Sequence, residues 1–336
     1  MSKKLEDLLE KGRTLNAEYK NGLMSSHLPM ALIALSEMGA SDTRLEDFYQ
    51  LYARRLQSKP APVKDITRTN WKDDLGQHQY NTDYALFFEN EIDQNGLDTV
   101  LETYLPELMP GISGGAFHPM IRLAYALDIQ STSEAAEALA SWAIAFQDLP
   151  NTAQNNTPQN DIAKMLNALS SDEDVQDIEI IGDNIAEKIK TVAESPAFQF
   201  HMNKLDLTAQ DLDDVCDVMV QIFGETRGFT VLHAVTSASA LRKVLPYLDQ
   251  DEQELALGHY GDALLATYVT VDMPELTPCT LDETDKSWSE IFNQIVTSNN
   301  DHAIKLVYTC HQESQRHPQK DIYKRVASDL AFPKTP

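Results

Sequence analysis

The stretch SSHLPMALIALSEMG, residues 25–39, decides the fold class. From Leu28 to Met38 almost every residue is apolar, which is typical of a buried helix. Pro29 stands where the first turn of a helix tolerates proline, and Gly39 stands where helices commonly end. The stretch therefore predicts a buried helix that other helices must surround.

Helical periodicity extends over most of the remaining chain. In TRLEDFYQLYARRLQ, residues 43–57, an apolar stripe contains Leu45, Phe48 and Tyr52, and the charged residues lie opposite. The only short candidate strand is VQDIEII at 175–181. We therefore predict an all-α protein with little or no β-structure. Further helical patterns lie at 116–128, 132–147, 208–223, 228–245, 252–270, 284–297 and 300–316.

The chain is predicted to form a single domain over residues 1–336. Residues 149–160 are polar, rich in Asn and contain two prolines, so they predict an exposed loop. The acidic stretch that follows, at about 161–195, predicts a solvated helical insertion. Apolar helices on both sides of the loop favour one cooperative body over two domains.

Composition excludes several classes of function. The chain has 336 residues and a formal net charge of -25, which argues against nucleic-acid binding and against anionic membrane surfaces. The start MSKKLEDLLEKG contains no apolar signal run, and no stretch approaches the length of a membrane span. The three cysteines form no CxxC pair. We therefore expect a cytoplasmic protein that binds neither nucleic acid nor membrane.

The common cofactor motifs are absent. No GxGxxG follows a strand, and the sequence contains no GxxxxGK[ST], no GxSxG and no HExxH. A nucleotide-binding sheet has no scaffold in an all-α chain. The sequence thus predicts no flavin or NAD site.

Two of the nine histidines begin apolar helices. His27 precedes Leu28-Pro29, and His118 precedes Pro119 after a Gly-Gly turn. Each imidazole is a candidate ligand, with a structural role as a helix cap as the alternative. A third, His233, has the small residues Thr236 and Ser237 on its helix face, which leaves volume for a substrate, a metal or a closely packed helix.

A fourth histidine shares its helix face with a lysine. His302 and Lys305 are three residues apart, so both side chains reach one point on an otherwise apolar face. A buried lysine must find an anion, lose its proton or extend to solvent, and a neutral lysine takes up carbon dioxide as a carbamate. His259, between two glycines, is a reserve ligand.

Four imidazoles without thiolates suit iron, zinc, copper or nickel. Arg122 and Arg242, which follow two of the histidines, are candidate catalytic residues that would neutralise a phenolate or enolate oxygen; salt bridges are the alternative. Tyr125, with Thr236 and Ser237, is a candidate for substrate binding, with core packing as its alternative.

Four of these segments, in this order, resemble the signature blocks of the questin oxidase-like family. The resemblance covers roughly residues 20–310, and each block keeps its histidine: SSHLPMALIALSEMGAS, GAFHPMIRLAYALD, GFTVLHAVTSASALR and DHAIKL. It implies an all-α oxidoreductase that acts on anthraquinone-like aromatic substrates with dioxygen. It also implies non-haem iron held by His27, His118, His233 and His302, with Lys305 as a carboxylated lysine.

Two other hypotheses remain at this point. In the first, the chain is a helical binding protein that has the family's fold but no catalytic activity. In the second, it is a metal protein that catalyses another reaction, such as a zinc-dependent hydrolase. The residues and the resemblance favour an iron oxygenase.

Overall fold

The apolar stretch at 28–38 forms the buried helix that the sequence predicts, α2 (Leu28–Glu37). All residues from Leu28 to Leu35 are buried, and Gly39 has a φ of 86°, a left-handed conformation that glycine adopts without strain. The structure is a computed structural model that describes residues 1–20, 22–150 and 158–333. A helix this apolar is stable only where neighbours cover every face.

The predicted all-α class is confirmed. In the described ranges, the β-structure in strands is one short antiparallel pair, β1 (Glu18–Tyr19) and β2 (Met24–Ser25). The remaining α-helices, in chain order, are α1 (Lys3–Gly12), α3 (Asp42–Ala53), α4 (Asn81–Asn95), α5 (Leu97–Leu108), α6 (His118–Asp128), α7 (Thr132–Ile144), α8 (Ile162–Ser170), α9 (Glu173–Gln176), α10 (Ile185–Glu194), α11 (Pro196–Gln199), α12 (Leu212–Thr226), α13 (Phe229–Val244), α14 (Gln250–Val269), α15 (Trp288–Ile295), α16 (Asp301–Arg316) and α17 (Ile322–Ala331).

Four helices pack in a closed ring around the centre of the molecule. Helix α2 contacts α6 and α16, and α13 contacts the same two helices. Each helix brings one of the predicted histidines near its N-terminus: His27 precedes α2, His118 and His302 lie in the first turns of α6 and α16, and His233 lies one turn into α13. The N-terminal ends of the four helices therefore meet.

The turn before α6 is strained and fixes the entry of that helix. Gly115, Ala116 and Phe117 have φ angles of 55°, 55° and 65°, and a left-handed conformation is costly for the two residues with side chains. A Cβ on Gly114 would lie 2.0 Å from the carbonyl oxygen of Ala145. Because this turn lies so close to the end of α7, only glycine fits at position 114. The turn also places His118 at the centre of the four-helix ring.

The acidic stretch at about 161–195 forms helices that pack against the body. Helix α8 buries Met165, Leu166 and Leu169, and α10 contacts α14. The candidate strand at 175–181 does not form, since Glu173–Gln176 is helical and no strand of the described residues pairs with the residues that follow. Of the predicted loop at 149–160, residues 151–157 lie outside the described residues. None of the described helices has the length and apolar character needed to span a bilayer.

Candidate metal centre

Four imidazole rings meet where the four helices converge. The ring of His27 lies 4.5 Å from that of His118 and 4.4 Å from that of His302, measured between centroids. The ring of His233 lies 4.7 Å from His118 and 5.7 Å from His302. Residues more than 270 positions apart are thus brought together, and we call these four residues the histidine cluster.

The outer nitrogen, Nδ1, of each ring lies beside an oxygen, and in three of the rings the contact is a hydrogen bond. The Nδ1 of His118 donates to the carbonyl oxygen of Gly115, and the Nδ1 of His233 donates to that of Phe229 at 2.9 Å. The Nδ1 of His27 lies 2.5 Å from a carboxylate oxygen of Asp301, and the Nδ1 of His302 lies 3.4 Å from the same oxygen. A neutral ring that donates through Nδ1 carries no proton on Nε2, as in metal sites where an outer bond fixes the tautomer.

Three buried nitrogens of the site lack the partners that buried polar atoms normally have. The Nε2 atoms of His233 and His302 and the Nζ of Lys305 are buried and have no hydrogen-bond partner in the described part of the chain. The Nε2 atoms of His27 and His118 face each other at 2.6 Å. Suitable donor atoms of His27, His233 and His302 lie within 4.8 Å of one another. These unpartnered donors fit a metal ion, which would satisfy several of them at once.

Burial keeps the cluster uncharged. It lowers the pKa of each of the four imidazoles below the usual value, and that of His302 to about 4, with the nearby charge of Lys305 acting in the same direction. Burial also lowers the pKa of Lys305 itself to about 7. Neutral imidazoles and a neutral amine are the forms that bind a metal or react with carbon dioxide.

A cavity of about 620 Å³ leads to the histidine cluster. All four histidines line it, together with the β1–β2 hairpin, the end of α7 and the first part of α10. Phe229 is half-exposed in this cavity, although phenylalanine is usually buried, and its ring lies 4.6 Å from that of His302 and 5.1 Å from that of His233. The cavity has the size of a site for an organic molecule.

The two candidate catalytic arginines are engaged elsewhere. The guanidinium of Arg122 is buried and pairs with Glu134 at 2.9 Å. That of Arg242 pairs with Glu313 and Asp213, both at 2.7 Å, and borders a separate cavity of about 480 Å³. Asp213, Glu313 and His317 also have metal-ligand spacing, but the guanidinium of Arg242 already pairs with both carboxylates.

The candidate substrate-binding residues lie behind the ligands rather than along the cavity. The hydroxyl of Tyr125 donates to the carbonyl oxygen of Lys305 at 3.4 Å, and its ring packs against Tyr308. The hydroxyl of Thr236 bonds to carbonyl groups of its own helix, and that of Ser237 lies 3.2 Å from the Tyr260 hydroxyl. Both residues are buried, and their part in substrate binding stays a prediction.

The reserve ligand His259 is not part of the histidine cluster. It lies on α14 and borders a smaller cavity of about 170 Å³ with Asp262 and Asn203. Burial lowers its pKa. In the described residues no second imidazole borders that cavity.

Sequence reasoning passed over two residues of the site. Asp301 follows the helix-capping Asn300, and Phe229 begins α13, so the sequence shows each of them only as part of a helical pattern. The available signal was their position: one adjoins His302, and the other lies one turn before His233. Neither position shows by itself which ring from another helix the side chain will contact.

The fold and the cluster define an all-α protein with a four-histidine candidate metal centre beneath an open cavity. The chain belongs to the Questin oxidase-like family, which matches residues 24–310. This result confirms the family resemblance seen in the sequence.

Three curated fungal proteins are similar to the chain. A Baeyer-Villiger oxidase of Pestalotiopsis microspora is 22% identical over 356 residues, which cover 90% of this chain and 78% of that protein. The Baeyer-Villiger oxidase AgnL3 of Paecilomyces divaricatus is 26% identical over 155 residues, or 40% and 33% of the two chains. The oxidoreductase AflY of Aspergillus parasiticus is 38% identical over 74 residues, only 20% of this chain and 15% of that protein. These names agree with the oxidoreductase class predicted from the sequence.

Proposed function

We propose that the protein is a metal-dependent oxygenase, with non-haem iron as the metal and an aromatic or quinone-like molecule as the substrate. The observation that carries this proposal is the histidine cluster, in which three Nδ1 atoms are hydrogen-bonded and the buried Nε2 atoms of His233 and His302 have no partner within the described residues. Leaving buried polar atoms without partners costs free energy, which a bound metal would recover. The family and the names of its relatives supply the oxidative reaction class.

His27, His118, His233 and His302 would hold the metal through Nε2. When bound, iron supplies the redox chemistry that dioxygen needs to react with an organic molecule. The histidines contribute neutral donors whose outer bonds tune the metal.

Lys305 would add the negative charge that four neutral imidazoles lack. Its Nζ is fully buried and unpartnered within the described residues. Attack of the neutral amine on carbon dioxide forms a nitrogen–carbon bond and releases one proton, and the product is an anionic carbamate with two oxygen donors. A carbamate at this position satisfies an amine that otherwise has no hydrogen-bond acceptor.

Phe229 supports an aromatic substrate. Its exposed face lies in the cavity beside the rings of His233 and His302, so a planar molecule that stacks on it would be held next to the metal ligands. Stacked aromatic pairs contribute about 1 kcal/mol beyond the burial of surface. The polar remainder of the cavity wall offers hydrogen-bond partners for hydroxyl and carbonyl groups.

We also propose that the protein works in the cytoplasm with a small-molecule substrate. Its three cysteines are free thiols, and two of them are buried, as expected in a reducing compartment.

The test is metal analysis of the wild-type protein, purified without an affinity tag and supplemented with iron, together with dioxygen consumption in the presence of an anthraquinone. We expect stoichiometric iron and dioxygen uptake, with both lost in His233→Ala and His302→Ala. His259→Ala is the matched control, because that histidine borders another cavity, and it should retain its iron.

Three results would contradict the proposal. Substoichiometric metal after supplementation would indicate a binding protein without metal chemistry, and zinc in place of iron would favour a hydrolase. Unchanged iron content in both histidine variants would place the metal elsewhere.

A further inference from the structure

We propose that Asp301 is a positioning residue whose single carboxylate fixes the tautomer and orientation of two ligand histidines, His27 and His302. The inference rests on the proposed metal function but concerns a residue that contacts the ligand histidines and would not itself bind the metal. One acidic side chain thus serves ligands from two different helices, α2 and α16.

The two oxygens of the Asp301 carboxylate contact different partners. One oxygen lies 2.5 Å from the Nδ1 of His27 and 3.4 Å from the Nδ1 of His302. The other oxygen lies 3.7 Å from the guanidinium of Arg55. Asp301 is 7% exposed, so water provides little competition for these bonds. The hydrogen bond holds His27 as the Nδ1–H tautomer, and the longer contact favours the same tautomer for His302, which would leave Nε2 of each ring to a metal.

The backbone of His27 is held as well as its ring. The His27 amide donates to the hydroxyl of Tyr52 at 2.8 Å, and the guanidinium of Arg55 lies over the ring of Tyr52 at 4.7 Å. Tyr52 and Arg55 come from α3 and the residues just after it. The carboxylate thus has a cation on its outer side, which balances its charge when the protein holds no metal.

The two halves of the histidine cluster differ in their outer partners. His118 and His233 donate to neutral backbone carbonyl groups, whereas His27 and His302 share an anion. A carboxylate partner raises the basicity of an imidazole ligand more than a carbonyl does. His27 and His302 should therefore bind a metal more tightly with the Asp301 carboxylate beside them than they would without it.

An amide cannot replace this carboxylate. In Asp301→Asn, one orientation of the amide places its NH₂ group against the Nδ1–H donors of both histidines. The other orientation keeps the bond to His27 but places the NH₂ group against the guanidinium of Arg55. Either orientation loses a favourable contact while the shape of the side chain is preserved.

The test has two arms, and one of them uses no metal. Nitrogen NMR of the metal-free protein reports the imidazole tautomers, and titration with Co(II) reports metal affinity through visible absorption. We expect Nδ1–H tautomers for His27 and His302 in the wild type, and an affinity about 10- to 100-fold lower in Asp301→Asn, the usual loss when an outer partner of a ligand is removed.

Asn300→Ala is the matched control. Asn300 caps the same helix by accepting from the amides of His302 and Ala303, but it touches no imidazole. It should lower thermal stability while leaving the tautomers and the Co(II) affinity near their wild-type values. If Asn300→Ala reproduces the loss of affinity, Asp301 acts only as part of the helix start, and the inference is wrong.

Two further outcomes separate the inference from the proposed function. Nε2–H tautomers in the wild type, or wild-type affinity in Asp301→Asn, overturn the role of Asp301 even if the protein binds metal. Absence of Co(II) binding by the wild type overturns the metal function, while the NMR arm still decides whether Asp301 sets the tautomers.

Discussion

Two buried polar clusters flank helix α6, and they differ in whether their groups have partners. The first is the histidine cluster with Lys305, where three buried nitrogens have no hydrogen-bond partner within the described residues. The second, which we call the ion-pair cluster, consists of Arg13, Lys59, Arg122, Glu134 and Glu137. There Lys59 lies 2.6 Å from Glu137, and Arg122 lies 2.9 Å from Glu134.

The difference shows how to distinguish a binding site from a structural network. Burial costs free energy in both places, and only a partner offsets it. In the ion-pair cluster each charge faces an opposite charge from the chain itself. In the histidine cluster the inner nitrogens of His233 and His302 have no partner within the described residues, and a bound metal ion would supply one. The candidate metal site is therefore the place where buried nitrogens have no hydrogen-bond partner within the described residues.

The largest expected effect comes from breaking the ion-pair cluster. Arg122→Met leaves the buried carboxylate of Glu134 without its cation and should lower the free energy of unfolding by about 3–5 kcal/mol. Chemical denaturation monitored by circular dichroism measures this loss. Iron bound per folded molecule should stay at the wild-type level, because Arg122 contacts no imidazole.

His259→Met is a suitable control, because it introduces the same side chain at a histidine that borders another cavity outside both clusters. A loss of iron in folded Arg122→Met would show that the two clusters are coupled. It would restore Arg122 as part of the site, as the sequence predicts.

An intermediate effect is expected from Lys305, whose protonation should make the free energy of unfolding depend on pH. The pKa of Lys305 is about 7 in the folded protein, against an ordinary value of 10.5. The unfolded chain therefore binds more protons over this range, so stability should rise with pH. Between about pH 7 and pH 9 the metal-free protein should gain about 2 kcal/mol from this group.

Lys305→Met should remove that gain and be more stable than the wild type near neutral pH. Measurements are made without carbon dioxide, so that no carbamate forms. The exposed Lys164→Met is the control and should keep the wild-type slope. An unchanged slope in Lys305→Met would mean that the lysine has a partner, as the charges of the ion-pair cluster do.

The smallest expected effect concerns the cavity side of the histidine cluster. Phe229→Ala should weaken binding of alizarin, a planar dihydroxyanthraquinone, to the metal-free protein by about 1 kcal/mol, or roughly fivefold in Kd. Absorption titration measures this change. Phe200→Ala is a matched control, since Phe200 is also exposed and also contacts a histidine, His201, away from the cavity. Equal affinities in the two variants would contradict stacking on Phe229.

The sequence predicted much of the fold because helical periodicity is a local property. The runs at 28–38 and 300–316 became α2 and α16 with ends that differ by about one residue. The same reasoning gave no account of α4 and α5, although α4 and α7 pack closely. The candidate strand at 175–181 fails for a physical reason: a strand needs a neighbour, and its own residues do not show whether one exists.

The chain by itself determined the residue types of the site and their places at helix starts. The neighbouring residues in the sequence single out four histidines, His27, His118, His233 and His302. The structure brings all four together, and metal binding stays a prediction. Only the tertiary structure decided their partners. Asp301 meets His27, and Arg122 meets Glu134 rather than the cavity, because contacts between helices depend on how the helices pack. The local sequence determines on which face of its helix a side chain lies, but the packing of the helices determines which residues that face contacts.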